Sequence, residues 1–342
     1  MIDVHAHLVP AAYLDFLKRQ GVVLPGLPPP PAGAPPSLPM APIGDAEGAV
    51  AERLRLMDEA GVERQLLSPT SPPYFADEAV AVEAARLAND SLCAVVDLHP
   101  QRFQAFASLP LPHVEASCSE LRRVLDRPGV AGVILNCFVG ERSVADPAFE
   151  PIYAELNQRG ALLFLHPAVN GLCSRLITDW KLTAAAGPTL EDAVIAMHFI
   201  VAGIPVRYPR IRIVIAHLGG GLPSIVQRLD NQLPFFVGLA EKPSTTARRM
   251  WYDTCCHGSA AAMHAGLEVF GADRIVPGSD YPFLTVHESY ERNINFVRSL
   301  GLPPETVRLV LEVNAQRLLQ QTGSASASVP PPVVPSSVPQ TP

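Results

Sequence analysis

One feature constrains this chain more than any other: short apolar, β-branched runs alternate with stretches of helical period along nearly its whole length. The runs cover residues 2–7, 65–69, 103–111, 130–138, 161–167, 211–218, 251–255 and 275–282. Between them lie amphipathic segments such as 49–60, where Val50, Leu54, Met57 and Ala60 recur on one helical face. Residues 79–95 and 114–125 follow the same rule. Strands this apolar are buried on both faces, and eight of them alternating with helices predict a parallel (β/α)8 barrel. An open doubly wound sheet is the alternative. It calls for a glycine-rich phosphate turn after the first strand, and here that turn reads HAHLVP.

Two segments stand outside the pattern. Residues 25–43 and 323–342 hold many of the 36 prolines and have no apolar period. The first, soon after the opening strand, reads as an inserted loop of the barrel. The second reads as a disordered tail, which leaves one barrel domain over residues 1–322. The net charge of -7 excludes the basic footprint of a nucleic-acid binder. No apolar run reaches membrane-spanning length, and the N-terminus carries no secretory signal pattern. Six scattered cysteines without CxxC spacing fit free thiols in a reducing cytoplasm.

The polar residues that matter sit where strands end. His5 and His7 are two apart on the first strand, so their side chains share a face and aim two imidazoles into one volume. Asp3, two residues earlier, is expected on that same face. His166 closes the apolar run LLFLH, His217 closes IRIVIAH before three glycines, and Asp280 lies in GSDYPF after the last strand. Each alone is an unremarkable polar strand end. Together, on strands one, five, six and eight of a barrel, they converge on one rim. Histidines with a carboxylate form a borderline-hard nitrogen and oxygen set that suits zinc and tolerates manganese, iron or cobalt.

The series HxH, His166, His217-Leu-Gly-Gly-Gly and Gly-Ser-Asp280-Tyr-Pro-Phe resembles the amidohydrolase superfamily, and within it the decarboxylase-rich branch. The resemblance spans residues 2–320. It implies that His5, His7, His166 and Asp280 bind one metal, and that His217 is the acid/base residue beside it, with Asp280 sharing in the chemistry. It further implies that Arg228 reaches into a neighbouring subunit's site to hold a substrate carboxylate, which makes the active form a homodimer or larger. Phe283 and Trp180 match aromatics that line the pocket. Binuclear relatives bridge two ions with a strand-four lysine. Here strand four, VAGVILNCF, has none, so one divalent ion per chain is expected.

The branch implies non-oxidative decarboxylation of a small aromatic carboxylic acid. Semialdehyde decarboxylases of this branch carry a second carboxylate-binding arginine before the stretch that matches Met57-Asp58. No Arg or Lys occurs between Arg19 and Arg53, which disfavours a doubly acidic substrate. A hydrolase or hydratase of a small cyclic or unsaturated acid would use the same ligands and is the alternative. Core packing is expected for Cys255 and Cys256, and structural roles for His198 and His264. Asp253 is a candidate to orient a histidine, and His287 and Glu288 are candidates to support the ligands.

Overall fold

The computed structural model describes residues 1–22, 39–70 and 72–320. Most of the 25–43 insert and all of the 323–342 tail therefore lie outside the described residues. Among the described residues, eight parallel strands form one sheet: β1 (Ile2–His7), β2 (Arg64–Ser68), β3 (Phe103–Ser108), β4 (Val130–Asn136), β5 (Leu162–His166), β6 (Arg212–Ile215), β7 (Trp251–Asp253) and β8 (Ile275–Val276). Neighbours in sequence are neighbours in the sheet throughout. The chain just past β8 closes the ring against β1. Val4 N–H donates to Pro277 O at 2.9 Å, Asp280 N–H to His5 O at 2.8 Å and His7 N–H to Tyr281 O at 2.7 Å.

Every predicted strand is present. The last four end before their apolar runs do, because the residues that follow turn into the rim. The principal helices between strands include α1 (Ala11–Arg19), α2 (Glu47–Ala60), α3 (Glu78–Leu98), α4 (Val114–Leu125), α5 (Glu150–Arg159), α6 (Gly187–Ala202), α7 (Leu222–Gln232), α8 (Ala260–Phe270) and α9 (Tyr290–Asn295). Their apolar faces pack on the outward strand residues, as Met57 and Val96 do against Leu67 and Phe103. The barrel bore is filled, not hollow: Val4, Leu66, Phe106, Phe164, Val214 and Val276 meet inside it.

β1 carries the one strand irregularity that positions the site. Asp3 pairs with Gln65, but the next matched pair is Ala6 with Leu67, so three residues of β1 advance against two of β2. This is a β-bulge, which re-aims side chains. Ile2 and Val4 point into the bore, and beyond the bulge His5 and His7 do so as well. Asp3 is thereby on the opposite face. The expectation that it shares the face of the two histidines fails, because strict two-residue alternation breaks at the bulge.

Candidate metal centre and acid/base pair

The bulge, the end of β5 and the segment after β8 bring four donors together. His5, His7, His166 and Asp280 are all buried, and one ligand atom of each lies within 4.8 Å of the others. His5 Nε2 is 3.2 Å from His7 Nε2, and Asp280 Oδ1 is 3.4 Å and 3.0 Å from the same two atoms. Nothing but an ion, or shared protons, makes such a convergence of lone pairs favourable. Phe164, edge-on to His5 at 5.0 Å between centroids, is an apolar floor that keeps the local dielectric low.

The remaining ring nitrogens show which ones face the centre. His5 Nδ1 is 2.7 Å from Asp253 Oδ2, His7 Nδ1 is 2.8 Å from Ser68 Oγ, and His166 Nδ1 is 3.1 Å from Pro167 O. Each Nδ1–H is thus engaged, which fixes the tautomer and turns Nε2 toward the cluster, as metal-binding histidines require. Burial holds His166 well below the usual imidazole range and takes His7 down to about 4, against the pull of Asp280. Both are neutral, the state a metal needs. Burial also disfavours charge on His5, but the Asp253 carboxylate outweighs it and raises the ring to about 9. A divalent cation bound by the cluster would take the place of that proton. The donor set therefore fits one ion.

Behind the histidines lies a buried polar relay. Asp3 accepts from His5 N–H at 3.1 Å, Ser279 Oγ–H at 2.7 Å, Gln65 Nε2 at 3.0 Å and Tyr290 O–H at 2.9 Å. Gln65 in turn accepts from Arg53, whose other arm donates to His7 O at 2.6 Å. Arg53, on α2, is 1% exposed and lies over the Tyr281 ring at 4.2 Å. The relay grips the backbone at His5 and His7, and through Ser279 it reaches the residue beside Asp280.

His217 stands on the other side of Asp280. Its Nε2 is 3.7 Å from Asp280 Oδ2, and its Nδ1 is 2.8 Å from Asp192 Oδ2. Burial opposes charge here too, but the Cys255 sulfur and the carboxylates of Asp192 and Asp280 outweigh it and hold His217 well above the usual imidazole range. Burial pushes Asp192 up to about 7 against the pull of His217, so the two share a proton as a coupled pair. The turn that presents His217 is unusual. His217, Leu218, Gly219 and Gly220 all have positive φ, from 49° to 68°. A Cβ at Gly220 would lie 1.8 Å from Thr189 O, so α6 fits against this turn only because glycine is there. That contact places Asp192 against His217 and its neighbour Glu191 against the loop after β5. Glu191 accepts from the backbone N–H groups of Ala168, Val169, Asn170 and Gly171.

Of the other anticipated residues, Phe283 meets the site, its ring edge-on to His7 at 5.5 Å. Trp180 is 75% exposed on the loop after β5, and Arg228 is exposed on α7. Among the described residues neither bonds or stacks with the cluster of its own chain. Asp253 orients a histidine, as anticipated. His287 is exposed near His257, and Glu288 pairs with Arg292 at 3.7 Å, so neither supports a ligand. Asp192, Glu191, Ser68 and the Arg53–Gln65 pair escaped the sequence reading. A signal for the first two existed: two carboxylates interrupt TLEDAVIAMHFIV, a helix otherwise apolar on most faces.

The amidohydrolase family profile matches residues 2–321. The chain is 30% identical over 331 residues to 6-methylsalicylic acid decarboxylase of Penicillium expansum, covering 90% of this chain and 93% of that one. It is 31% identical over 292 residues to gamma-resorcylate decarboxylase of Rhizobium radiobacter, covering 79% and 87%. The crystal structure of 5-carboxyvanillate decarboxylase from Sphingomonas paucimobilis aligns with a TM-score of 0.76 at 25% identity, covering 94% and 98%. A dihydroxybenzoic acid decarboxylase from Polaromonas, solved with manganese and 2-nitroresorcinol, aligns with a TM-score of 0.75 at 22% identity, covering 94% and 97%.

Proposed function

Since the chain belongs to the amidohydrolase family, in its decarboxylase branch, we propose that it is a metal-dependent carboxy-lyase that removes carbon dioxide from a small aromatic acid with an ortho oxygen. The observation that carries this reading is His217, bonded through Nδ1 to Asp192 and facing a four-donor metal cluster across Asp280. His5, His7, His166 and Asp280 would hold one divalent ion. Zinc suits the donors, and manganese, iron or cobalt is compatible with them. When bound, the ion supplies positive charge that orients and polarises the carboxylate and its ortho oxygen.

The chain's own residues do the rest. His217 gives the proton on Nε2 to the ring carbon that bears the carboxylate. The bond from that carbon to the carboxylate then breaks, its electron pair restores the aromatic ring, and carbon dioxide leaves. One proton is taken up per turnover and returns to His217 from solvent. Asp192 steadies the imidazolium and keeps Nε2 aimed inward. Phe283 and the Phe164 floor exclude water from the protonation step.

Arg228 is assigned to the pocket of a second copy, where its guanidinium would pair with the substrate carboxylate. Its exposure, with no ion partner among the described residues of its own chain, supports this. So does the exposure of Phe235 and Phe236, at 81% each, just past the end of the helix that carries Arg228. The active form is then a homodimer with Trp180 at the subunit boundary. Six unpaired cysteines fit a reducing cytoplasm, and among the described residues no helix is long and apolar enough to cross a membrane.

A panel of ortho-hydroxy and ortho-amino aromatic acids, incubated with metal-loaded protein and read by mass, tests the reading. Loss of carbon dioxide without net addition of water is expected. A product that has gained water, with no carbon dioxide released, would replace this function with the hydrolase or hydratase alternative.

A further inference from the structure

The rim holds a second donor set, and one of its members, Cys255, has no part in decarboxylation. Cys255 lies two residues past Asp253, just beyond the end of the strand, and is 1% exposed. Its sulfur lies beside the His217 ring. One ligand atom each from His5, His217 and Cys255 lies within 4.8 Å of the others. Asp192 occupies Nδ1 of His217, so Nε2 is the nitrogen that faces this space. Asp280 is divided between the two sets: Oδ1 faces His5 and His7, and Oδ2 lies 3.7 Å from His217 Nε2. A carboxylate with one oxygen toward each of two donor groups is the usual bridge of a two-metal site.

We propose that His217 Nε2, Cys255 Sγ and Asp280 Oδ2 form a second, weaker and inhibitory site for a thiolate-seeking divalent cation, such as zinc, cadmium or cobalt in excess. The primary cluster has no sulfur, and the second has one. Softness therefore separates them: manganese fills only the first, whereas zinc and cadmium fill both. Binding exchanges the thiol proton for the cation and releases that proton to solvent. It also ties up the His217 nitrogen that decarboxylation needs for proton delivery. The site is weaker because its cation sits beside one already bound. This inference needs His217 and Asp280 where the structure puts them, and it does not depend on the identity of the substrate.

Cobalt(II) titration of the metal-free protein reads the two sites by absorption without any substrate. The first equivalent should give only the weak visible bands of a nitrogen and oxygen site. The second should add the intense near-ultraviolet thiolate-to-cobalt band. Cys255→Ser should keep the first set and lose that band, and Cys256→Ser should keep both. Where a substrate is in hand, zinc beyond one equivalent should inhibit in step with the band. Cys255→Ser, referred to its own one-equivalent rate, should then need at least about 10–100-fold more zinc, the usual cost of losing even an outer-sphere partner. If Cys255→Ser does not fold, the wild-type titration still decides. Saturation at one equivalent with no thiolate band would overturn the proposal. So would a thiolate band during the first equivalent, or inhibition by zinc that Cys255→Ser leaves unchanged.

Discussion

At the scale of single residues, metal binding and proton transfer are separable here, because different side chains carry them. His217→Ala should retain about one metal per chain by elemental analysis while turnover falls by roughly 10²–10⁴-fold, the usual contribution of general acid catalysis. Loss of the metal together with activity would make His217 a ligand instead. Asp192→Asn should lower kcat more than it raises KM, since Asp192 bonds to His217 and the buried Cys137 thiol and, among the described residues, to none of the four metal donors. The outer partners of the metal cluster should show the converse. Asp253→Asn and Asp3→Asn should each weaken metal binding about 10–100-fold in a chelator competition. In the second case an amide must face the Ser279, Gln65 and Tyr290 donors that the carboxylate accepts from. Wild-type metal affinity in Asp3→Asn, with only a lower melting temperature, would reduce the relay to a packing device. The candidate metal histidines were legible because His7 and His166 end apolar strands and His5 precedes His7 by two. Asp3 was legible as important but on the wrong face, since a bulge is a matter of pairing between strands and leaves no mark in the two-residue pattern.

At the scale of elements, two junctions hold the chemistry: the β1 bulge and the turn from β6 into α7. The second can be tested with one methyl group. Gly220→Ala has to adopt a φ of 55° and place its Cβ 1.8 Å from the Thr189 carbonyl oxygen. Backbone cannot yield as a flexible side chain can, so α6 must move and carry Asp192 with it. A loss of at least about 1–3 kcal/mol is expected from the strained φ alone, together with a kcat defect like that of Asp192→Asn. Unaltered urea unfolding and unaltered kcat would show that α6 is not seated by this contact. The run His-Leu-Gly-Gly-Gly announced a sharp turn in the sequence. What the glycines make room for was not legible, because Thr189 lies on a helix from an earlier repeat of the barrel.

At the scale of the whole molecule, one metal per chain and a shared active site are the claims at stake. All three lysines, Lys18, Lys181 and Lys242, are exposed, and Asn136 occupies the β4 position paired with His166. The fourth strand therefore offers no lysine to bridge two ions, and manganese-loaded, fully active protein should contain about one metal per chain. Two manganese ions, both required for activity, would refute this. For the dimer, mixing His217→Ala with Arg228→Ala and allowing subunit exchange should restore activity, because one site in each mixed dimer then has both groups. No recovery despite proven exchange would confine Arg228 to its own chain or exclude it from catalysis. The sequence by itself determined the barrel, since eight doubly apolar runs with helical spacers have few other ways to bury their surface. It also put His5, His7, His166, His217 and Asp280 on one rim, since strand ends in a barrel share one, and the family resemblance supplied their expected roles. Tertiary structure alone decided which nitrogen each histidine turns to the centre, the carboxylate that pairs with His217, and the second face of Asp280. Those follow from Asp253, Ser68, Asp192 and Cys255, partners that the fold brings in from other strands and helices, where no spacing rule links them to the residues they govern.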